Sequence, residues 1–131
     1  MTRSKILLGS TSFDLDKQIL FSKLSGDINP IHLDFIEARK SIAGECIVHG
    51  IHSFLWSIEL LTNEIKYLFS FYEIHFKRYI PLNLKVSCFW DPIEKKLTIE
   101  KDGGTIFVLI KCCGGRDNYL VKDWILVTHK N

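Results

Sequence analysis

The sequence predicts an α+β fold in which an antiparallel β-sheet wraps around one long central α-helix. The helix is predicted from about His49 or Gly50 to Tyr67, where apolar residues recur at spacings of three and four. The chain that follows reads as short β-strands separated by turn residues. Because a sheet curled around a helix buries the apolar faces of both, these two halves predict a single domain over residues 1–131.

Two short helical segments are predicted before the central helix, with an irregular loop between them. Ser12 or Asp14 can cap the first, which runs to about Leu24, because both side chains accept hydrogen bonds from helix N–H groups. Gly, Asp, Asn and Pro make residues 25–30 a loop. Phe35–Arg39 is the second helical segment. The interpretation assigns no strand to this part of the chain.

The central helix has a broad apolar face. Its apolar positions are Ile51, Phe54, Leu55, Ile58, Leu61 and Ile65. Trp56 and Leu60 widen this face, which is typical of a helix covered by sheet rather than one lying on a surface.

The chain after the helix predicts an antiparallel meander. The predicted strands are Phe69–Tyr79, Leu84–Trp90, Lys96–Glu100, Thr105–Cys112 and Tyr119–His129. The segment Asp102-Gly103-Gly104 between two of them is typical of a tight hairpin turn. Short connections of this kind favour antiparallel neighbours.

Composition excludes several classes of partner. Seventeen basic and fifteen acidic side chains give a formal net charge of +2, too small to favour nucleic acid or a membrane surface. The polar segment Met1–Lys5 leads into only three apolar residues before Gly9, and no apolar run reaches the length of a membrane span. We therefore expect a cytoplasmic protein with no nucleic-acid partner and no membrane partner.

Neither the cysteines nor the histidines form a metal motif. The chain has no Cys-x-x-Cys pair among its four cysteines, which are Cys46, Cys88, Cys112 and Cys113. His49 and His52 lie three residues apart on the predicted helix, but no acidic or thiol partner has a matching spacing. We interpret them as core or dimer-contact histidines, and we expect no metal and no cofactor.

The stretch from Phe21 to Gly50 carries the informative motif. It reads Leu-Ser-Gly-Asp-Ile-Asn-Pro-Ile-His from Leu24 to His32, and Val48-His49-Gly50 follows downstream. This pattern closely resembles the hydratase motif of the (R)-specific enoyl-CoA hydratases and MaoC-like dehydratases. The segment Phe76–Pro81 also resembles the strand with which that family enters its sheet. The resemblance covers most of the chain and implies a hot-dog fold and a homodimer.

Carried onto this chain, the resemblance implies catalytic roles for Asp27, Asn29, His32 and Gly50. Asp27 and His32 would be the acid–base pair, Asn29 would fix the loop and a water molecule, and the N–H of Gly50 would hold the thioester oxygen. The chemistry agrees, because hydration of an enoyl thioester needs a base, an acid and a donor for developing negative charge. Histidine exchanges protons near neutral pH, and a glycine at a helix start exposes unpaired N–H groups.

The expected activity is interconversion of trans-2-enoyl and (R)-3-hydroxyacyl thioesters carried by CoA or an acyl carrier protein. Two other functions stay open: a hot-dog acyl-thioesterase that attacks the carbonyl carbon, and a non-catalytic acyl-thioester-binding partner subunit. A contact between Asp27 and His32 that only stabilises the loop is the structural alternative. The bulky residues Phe54 and Trp56 in the central helix leave the acyl preference open.

Two further groups of residues have more than one interpretation. Lys77, Arg78 and Lys85 either meet the phosphates of CoA or lie on a solvated strand edge. The aromatic residues at the start of the sheet favour core and pocket lining over stacking on nucleic-acid bases. They are Phe69, Phe71, Tyr72 and Phe76.

Overall fold

The computed structural model describes residues 5–65 and 69–115. Five strands and three α-helices occur in these residues, together with one short 3-10 turn at Pro30–His32. In chain order the elements are β1 (Ile6–Ser12), α1 (Leu15–Ser25), α2 (Phe35–Arg39), α3 (Gly50–Glu64), β2 (Phe71–Phe76), β3 (Lys85–Asp91), β4 (Lys96–Glu100) and β5 (Ile106–Cys113).

The five strands form one antiparallel sheet in the order β1-β3-β4-β5-β2. Ile99 in the middle strand pairs with Cys88 of β3 and Val108 of β5, and all three side chains are fully or almost fully buried. They form one core with Leu61 of α3, against which the partly buried Phe54 also packs. The central helix therefore covers the sheet, and the α+β prediction is confirmed.

Several predicted boundaries are confirmed. Asp14, not Ser12, caps α1, because its carboxylate accepts a hydrogen bond of 2.8 Å from the N–H of Lys17. Helix α2 and strand β4 have the predicted bounds. The hairpin between β4 and β5 turns through Gly103 and Gly104, whose φ angles of 93° and 86° favour glycine.

Strand β1, which precedes the central helix, was not predicted from the sequence. It pairs with β3 over its length, with an irregularity between Leu7 and Gly9. A Cβ atom on Gly9 would lie 3.2 Å from the Leu60 side chain of α3, so glycine lets the strand pass close to the helix. Pairing with a distant strand stabilises β1, and this partner is not visible in the local sequence pattern.

The central helix and the first predicted strand are both shorter than the sequence pattern predicts. Helix α3 ends at Glu64 because Ile65 has an extended backbone, with φ −123° and ψ 142°. Strand β2 covers Phe71–Phe76 instead of Phe69–Tyr79. The predicted strand Tyr119–His129 lies outside the described residues. Within the described part of the chain, the helices are all too short or too polar to cross a bilayer.

Helix α3 packs against the α1 region through a group of aromatic rings around His52. The ring of Phe21 stacks on His52 with centroids 4.5 Å apart and planes 2° apart, and the ring of Phe13 meets His52 edge-on at 4.9 Å. Burial, together with the smaller effects of the nearby His49 and Lys17, lowers the pKa of His52 from 6.5 to about 4. His52 is therefore neutral in the folded protein at neutral pH.

We expect His52 to make folding acid-sensitive. Its pKa in the unfolded chain is higher than in the fold, so the unfolded state binds a proton first and stability falls as pH decreases from about 6.5 towards about 4. His52→Phe keeps a ring against Phe21 and removes this proton, so its melting temperature should fall less over that range. His75→Phe is the control, because His75 is an exposed residue of β2. An equal fall in melting temperature with decreasing pH for wild type and His52→Phe would contradict this account.

Candidate active site

The loop after α1 is built by its own polar residues. Gly26 ends α1 in the left-handed conformation, with φ 79°. The N–H of Asn29 donates to Oδ1 of Asp27 at 3.2 Å, and Oδ1 of Asn29 accepts from the N–H of Ile31 at 3.1 Å. Asn29 thereby caps the turn that carries His32. These local bonds bring His32 beside Asp27, with 3.9 Å between Nε2 and Oδ2.

The orientation of His32 is fixed by a backbone carbonyl. Its Nδ1 lies 2.9 Å from the oxygen of Ile47, which can only accept, so Nδ1 carries the proton in the neutral ring. Nε2 is then free to accept and faces the carboxylate of Asp27. The side chain of His32 is 12% exposed and that of Asp27 is 50% exposed. The pair is therefore accessible from the carboxylate side and enclosed on the imidazole side.

Gln18 of α1 stabilises the same region by hydrogen bonds to its backbone. Its side chain is fully buried, and Nε2 donates to the carbonyl oxygens of Ile47 at 2.9 Å and His32 at 3.3 Å. The N–H of Ile47 donates to the carbonyl of Ile31 at 3.1 Å. The sequence analysis missed Gln18, for which the only signal is a polar side chain close to the apolar positions of a short helix.

His49 contacts both members of the predicted pair. Its side chain is 2% exposed, its Nε2 lies 3.1 Å from the carbonyl oxygen of Asp27, and its ring stacks on His32 with centroids 4.0 Å apart. Because a carbonyl only accepts, Nε2 of His49 carries a proton and donates it. Burial lowers the pKa of His49, so the ring is neutral near pH 7. Its burial agrees with the predicted core position, but these contacts were not anticipated.

Asp27, His32 and His49 also form a group whose possible ligand atoms lie within 4.8 Å of one another. The planes of the two imidazole rings are only 27° apart at 4.0 Å, so their nitrogen lone pairs lie in two nearly parallel planes that do not converge on one ion between the rings. A tetrahedral ion needs ligand lone pairs that converge on it. The geometry therefore suits hydrogen bonding and proton transfer better than coordination.

Gly50 is the first residue of α3, directly after His49. No side-chain hydrogen bond from His49 caps this helix end, where the first-turn N–H groups have no partner within the helix. A Cβ atom on Gly50 would lie 2.9 Å from Cε1 of Phe76, so only a glycine lets that ring lie on the backbone. The helix dipole also favours negative charge at this point.

Two cavities meet at Gly50 and Phe76. The first, of about 280 Å³, is lined by His32 and by apolar residues of the core, and we call it the His32 cavity. The second, of about 260 Å³, is lined by Asp27 and His49, and we call it the Asp27 cavity. The structure thus brings three predicted site residues to adjoining spaces. Asn29 lines neither of these two cavities and bonds within the loop.

A wider cavity of about 590 Å³ adjoins the His32 cavity and shares Phe76, Arg78 and Tyr79 with it. Its lining holds three cationic side chains, those of Lys77, Arg78 and Lys101, and one anionic side chain, that of Glu45, and we call it the basic cavity. Lys77 and Arg78 were named in the sequence analysis and Lys101 was not. Lys85, which was named with them, is not among the lining residues of this cavity.

Comparison with known proteins places this geometry in a family. The model of the MaoC-like domain matches residues 9–88, which include the loop, His49 and Gly50. The comparison with curated protein sequences found no match. Among solved structures, the (R)-hydratase from A. caviae involved in PHA biosynthesis superposes with a TM-score of 0.67 at 23% identity, covering 86% of this chain and 96% of that one.

Two further solved structures have the same fold. The R-hydratase PhaJ1 from Pseudomonas aeruginosa, unliganded, gives a TM-score of 0.66 at 19% identity, covering 88% of this chain and 84% of that one. The MaoC-like dehydratase from Rhodospirillum rubrum gives 0.71 at 12% identity, covering 86% and 89%. The predicted hot-dog fold is confirmed. Since the family model matches more than half of the residues, the chain belongs to the MaoC-like domain family.

Proposed function

We propose that the protein is a hydratase or dehydratase that interconverts trans-2-enoyl and (R)-3-hydroxyacyl thioesters. The carrying observation is the orientation of His32, whose Nδ1 donates to Ile47 while Nε2 faces Asp27 at 3.9 Å. Gly50 borders the cavities of both side chains. The names of the A. caviae (R)-hydratase and the R. rubrum dehydratase support this reaction class.

The proposed hydration uses one water molecule between Asp27 and His32. A water can hydrogen bond to both groups at ordinary distances of about 2.8 Å when they are 3.9 Å apart. As its oxygen bonds to C3 of the acyl group, the pair accepts one proton and the C2–C3 π electrons move towards the thioester oxygen. The N–H of Gly50 stabilises that charge, and C2 then takes a proton from the pair. Dehydration is the reverse.

His49 is proposed as a positioning residue in this scheme. Its donated hydrogen bond holds the backbone of Asp27, and its ring supports the face of His32. Because the pKa of His49 is lowered by burial, the ring adds no positive charge beside His32 when His32 accepts a proton. The scheme uses the chain's own side chains and backbone, with no metal or redox cofactor.

The proposed substrate carrier is CoA or an acyl carrier protein, both of which bear phosphate on the arm that ends in the thioester. The cationic side chains of the basic cavity, Lys77, Arg78 and Lys101, support a carrier of this charge. Acyl thioesters of both carriers occur inside cells, so a cytoplasmic location is part of the proposal.

The acid–base pair is tested by Asp27→Asn and His32→Ala. Each should reduce kcat by about 10²–10⁴-fold with a smaller effect on KM, and the double variant should be little worse than the worse single variant, because both groups act on one water. The matched controls are Asp102→Asn and His75→Ala, which alter exposed residues. Enoyl absorbance measures turnover, and thermal unfolding measures stability in the same samples.

Three outcomes separate the competing functions. Near-normal kcat in Asp27→Asn with a lower melting temperature would make the pair a structural contact. Release of free thiol without formation of a 3-hydroxyacyl thioester would indicate a thioesterase. Binding of enoyl-CoA without any turnover by the wild type would indicate a non-catalytic partner subunit.

Gly50 is tested by comparing Gly50→Pro with Gly50→Ala. Proline is tolerated at the first helical position, and the φ of −58° and ψ of 124° at His49 suit a residue before proline, so the fold should persist. Gly50→Pro removes the N–H and should reduce kcat/KM by about 10²–10³-fold, whereas Gly50→Ala keeps it and mainly displaces the Phe76 ring. Equal, near-native activity in both variants would remove Gly50 from the mechanism.

We also propose that the protein is a homodimer. In the described sheet, β2 is an edge strand, and its Phe71 is 61% exposed. An open strand edge and exposed apolar side chains favour association with a second copy. Light scattering should therefore give twice the mass of the chain, and a stable, active monomer would contradict this.

A further inference from the structure

Four cavities among the described residues lie in a row past the proposed site. The basic cavity shares Phe76, Arg78 and Tyr79 with the His32 cavity, and the His32 cavity shares Gly50 and Phe76 with the Asp27 cavity. The Asp27 cavity in turn shares Phe21, Ser25 and Ile51 with a groove of about 440 Å³ between α1 and α3. The remaining walls of this apolar groove are Leu24, His52, Leu55, Trp56 and Glu59.

The two ends of this row of cavities differ in charge and polarity. One end carries the cationic residues Lys77, Arg78 and Lys101, and the other end is bounded mainly by apolar side chains such as Leu55 and Trp56. A phosphate-bearing carrier is attracted to the first end, and a hydrocarbon chain is buried favourably at the second. An acyl thioester with its phosphates at the basic end and its hydrocarbon chain at the apolar end has its thioester near Gly50, in the middle of the row.

Phe76 stands at this midpoint. It lines three of the four cavities, and among the described residues it is the only side chain shared by the His32 and Asp27 cavities, since Gly50 has none. Three of its ring atoms lie between 2.9 and 3.3 Å from the position of a Cβ on Gly50. The ring therefore lies between the His32 cavity and the Asp27 cavity, while the side chains of His32 and Asp27 face each other at 3.9 Å beside it.

The position of Phe76 indicates that the fold does not depend on its ring. It is the last residue of the edge strand β2, which pairs only with β5 in the described sheet, and it is 51% exposed. Truncating a half-exposed side chain of this kind leaves little new cavity in the core.

We propose that Phe76 is the specificity-determining residue for the acyl group. Its ring limits the passage beside Gly50 to short acyl chains, and removing it joins the His32 and Asp27 cavities and opens the way to the apolar groove. This inference rests on the proposed function, because it assumes that an acyl thioester binds across Gly50. It specifies a short-chain acyl group on a phosphate-bearing carrier as the substrate class.

The test compares wild type with Phe76→Ala on crotonyl-CoA and trans-2-decenoyl-CoA. The ratio of kcat/KM for the longer to the shorter substrate should rise about tenfold or more in Phe76→Ala. Phe35→Ala is the matched control, because Phe35 on α2 is likewise about half exposed, lies off the β2 edge and lines none of these four cavities. If circular dichroism shows that Phe76→Ala is unfolded, Phe76→Leu takes its place.

Binding of non-reactive ligands separates this inference from the proposed reaction. Calorimetry with butanoyl-CoA and octanoyl-CoA should show the same shift in relative affinity towards the longer chain in Phe76→Ala, and no shift in Phe35→Ala. If the wild type hydrates neither enoyl-CoA but this affinity shift is found, the proposed reaction fails and the role of Phe76 stands. Unchanged ratios, equal changes in both variants, or no binding of either ligand would overturn it.

Discussion

The carbonyl oxygen of Ile47 accepts hydrogen bonds from two side chains, and the geometry of the site depends on this shared acceptor. Gln18 reaches it from α1 at 2.9 Å, and Nδ1 of His32 reaches it from the motif loop at 2.9 Å. The first bond fixes helix α1 to the segment that enters the central helix. The second sets the tautomer of His32 and leaves Nε2 for chemistry. A buried carbonyl that lost both donors would remain unsatisfied, which is costly.

The segment that contains Ile47 also positions His49, two residues later. The same segment that presents the Ile47 carbonyl places the His49 ring on His32 and its Nε2–H on the backbone of Asp27. Gly50 follows at once and starts α3. One short segment thus positions a hydrogen-bond acceptor, a neutral imidazole and the exposed N–H groups of a helix start. Small backbone shifts in it would change all three, which explains why it is anchored from α1.

The general fold and the motif residues were predictable because their signals are local. Spacing of apolar residues identified α3, and the turn residues after it identified the antiparallel meander. Strand β1 was missed because its stabilisation comes from β3 and from the close approach of Gly9 to Leu60. The end of α3 was placed too late because apolar spacing continues through Ile65, whose backbone is extended.

The site was predictable only in the part that the family resemblance covers residue by residue. Asp27, Asn29, His32 and Gly50 belong to a recognisable motif, and the structure brings three of them to adjoining cavities. The hydrogen bonds of Gln18 and His49 were not anticipated, because their partners are 29 and 22 residues away in sequence. A single polar residue in a helix carries no signal of such a distant carbonyl.

The hydrogen bonds of the loop also bear on whether the Asp27–His32 pair is structural. A structural contact would be expected to close the loop directly, but the loop is already held by Gly26, by the Asn29 cap and by Gln18. Asp27 contributes Oδ1 to the backbone of Asn29, while Oδ2 faces His32 at 3.9 Å, beyond hydrogen-bond range. The loop therefore does not need a direct bond between the two side chains. What the arrangement leaves instead is two acceptor atoms close enough together for one water molecule beside them to hydrogen bond to both.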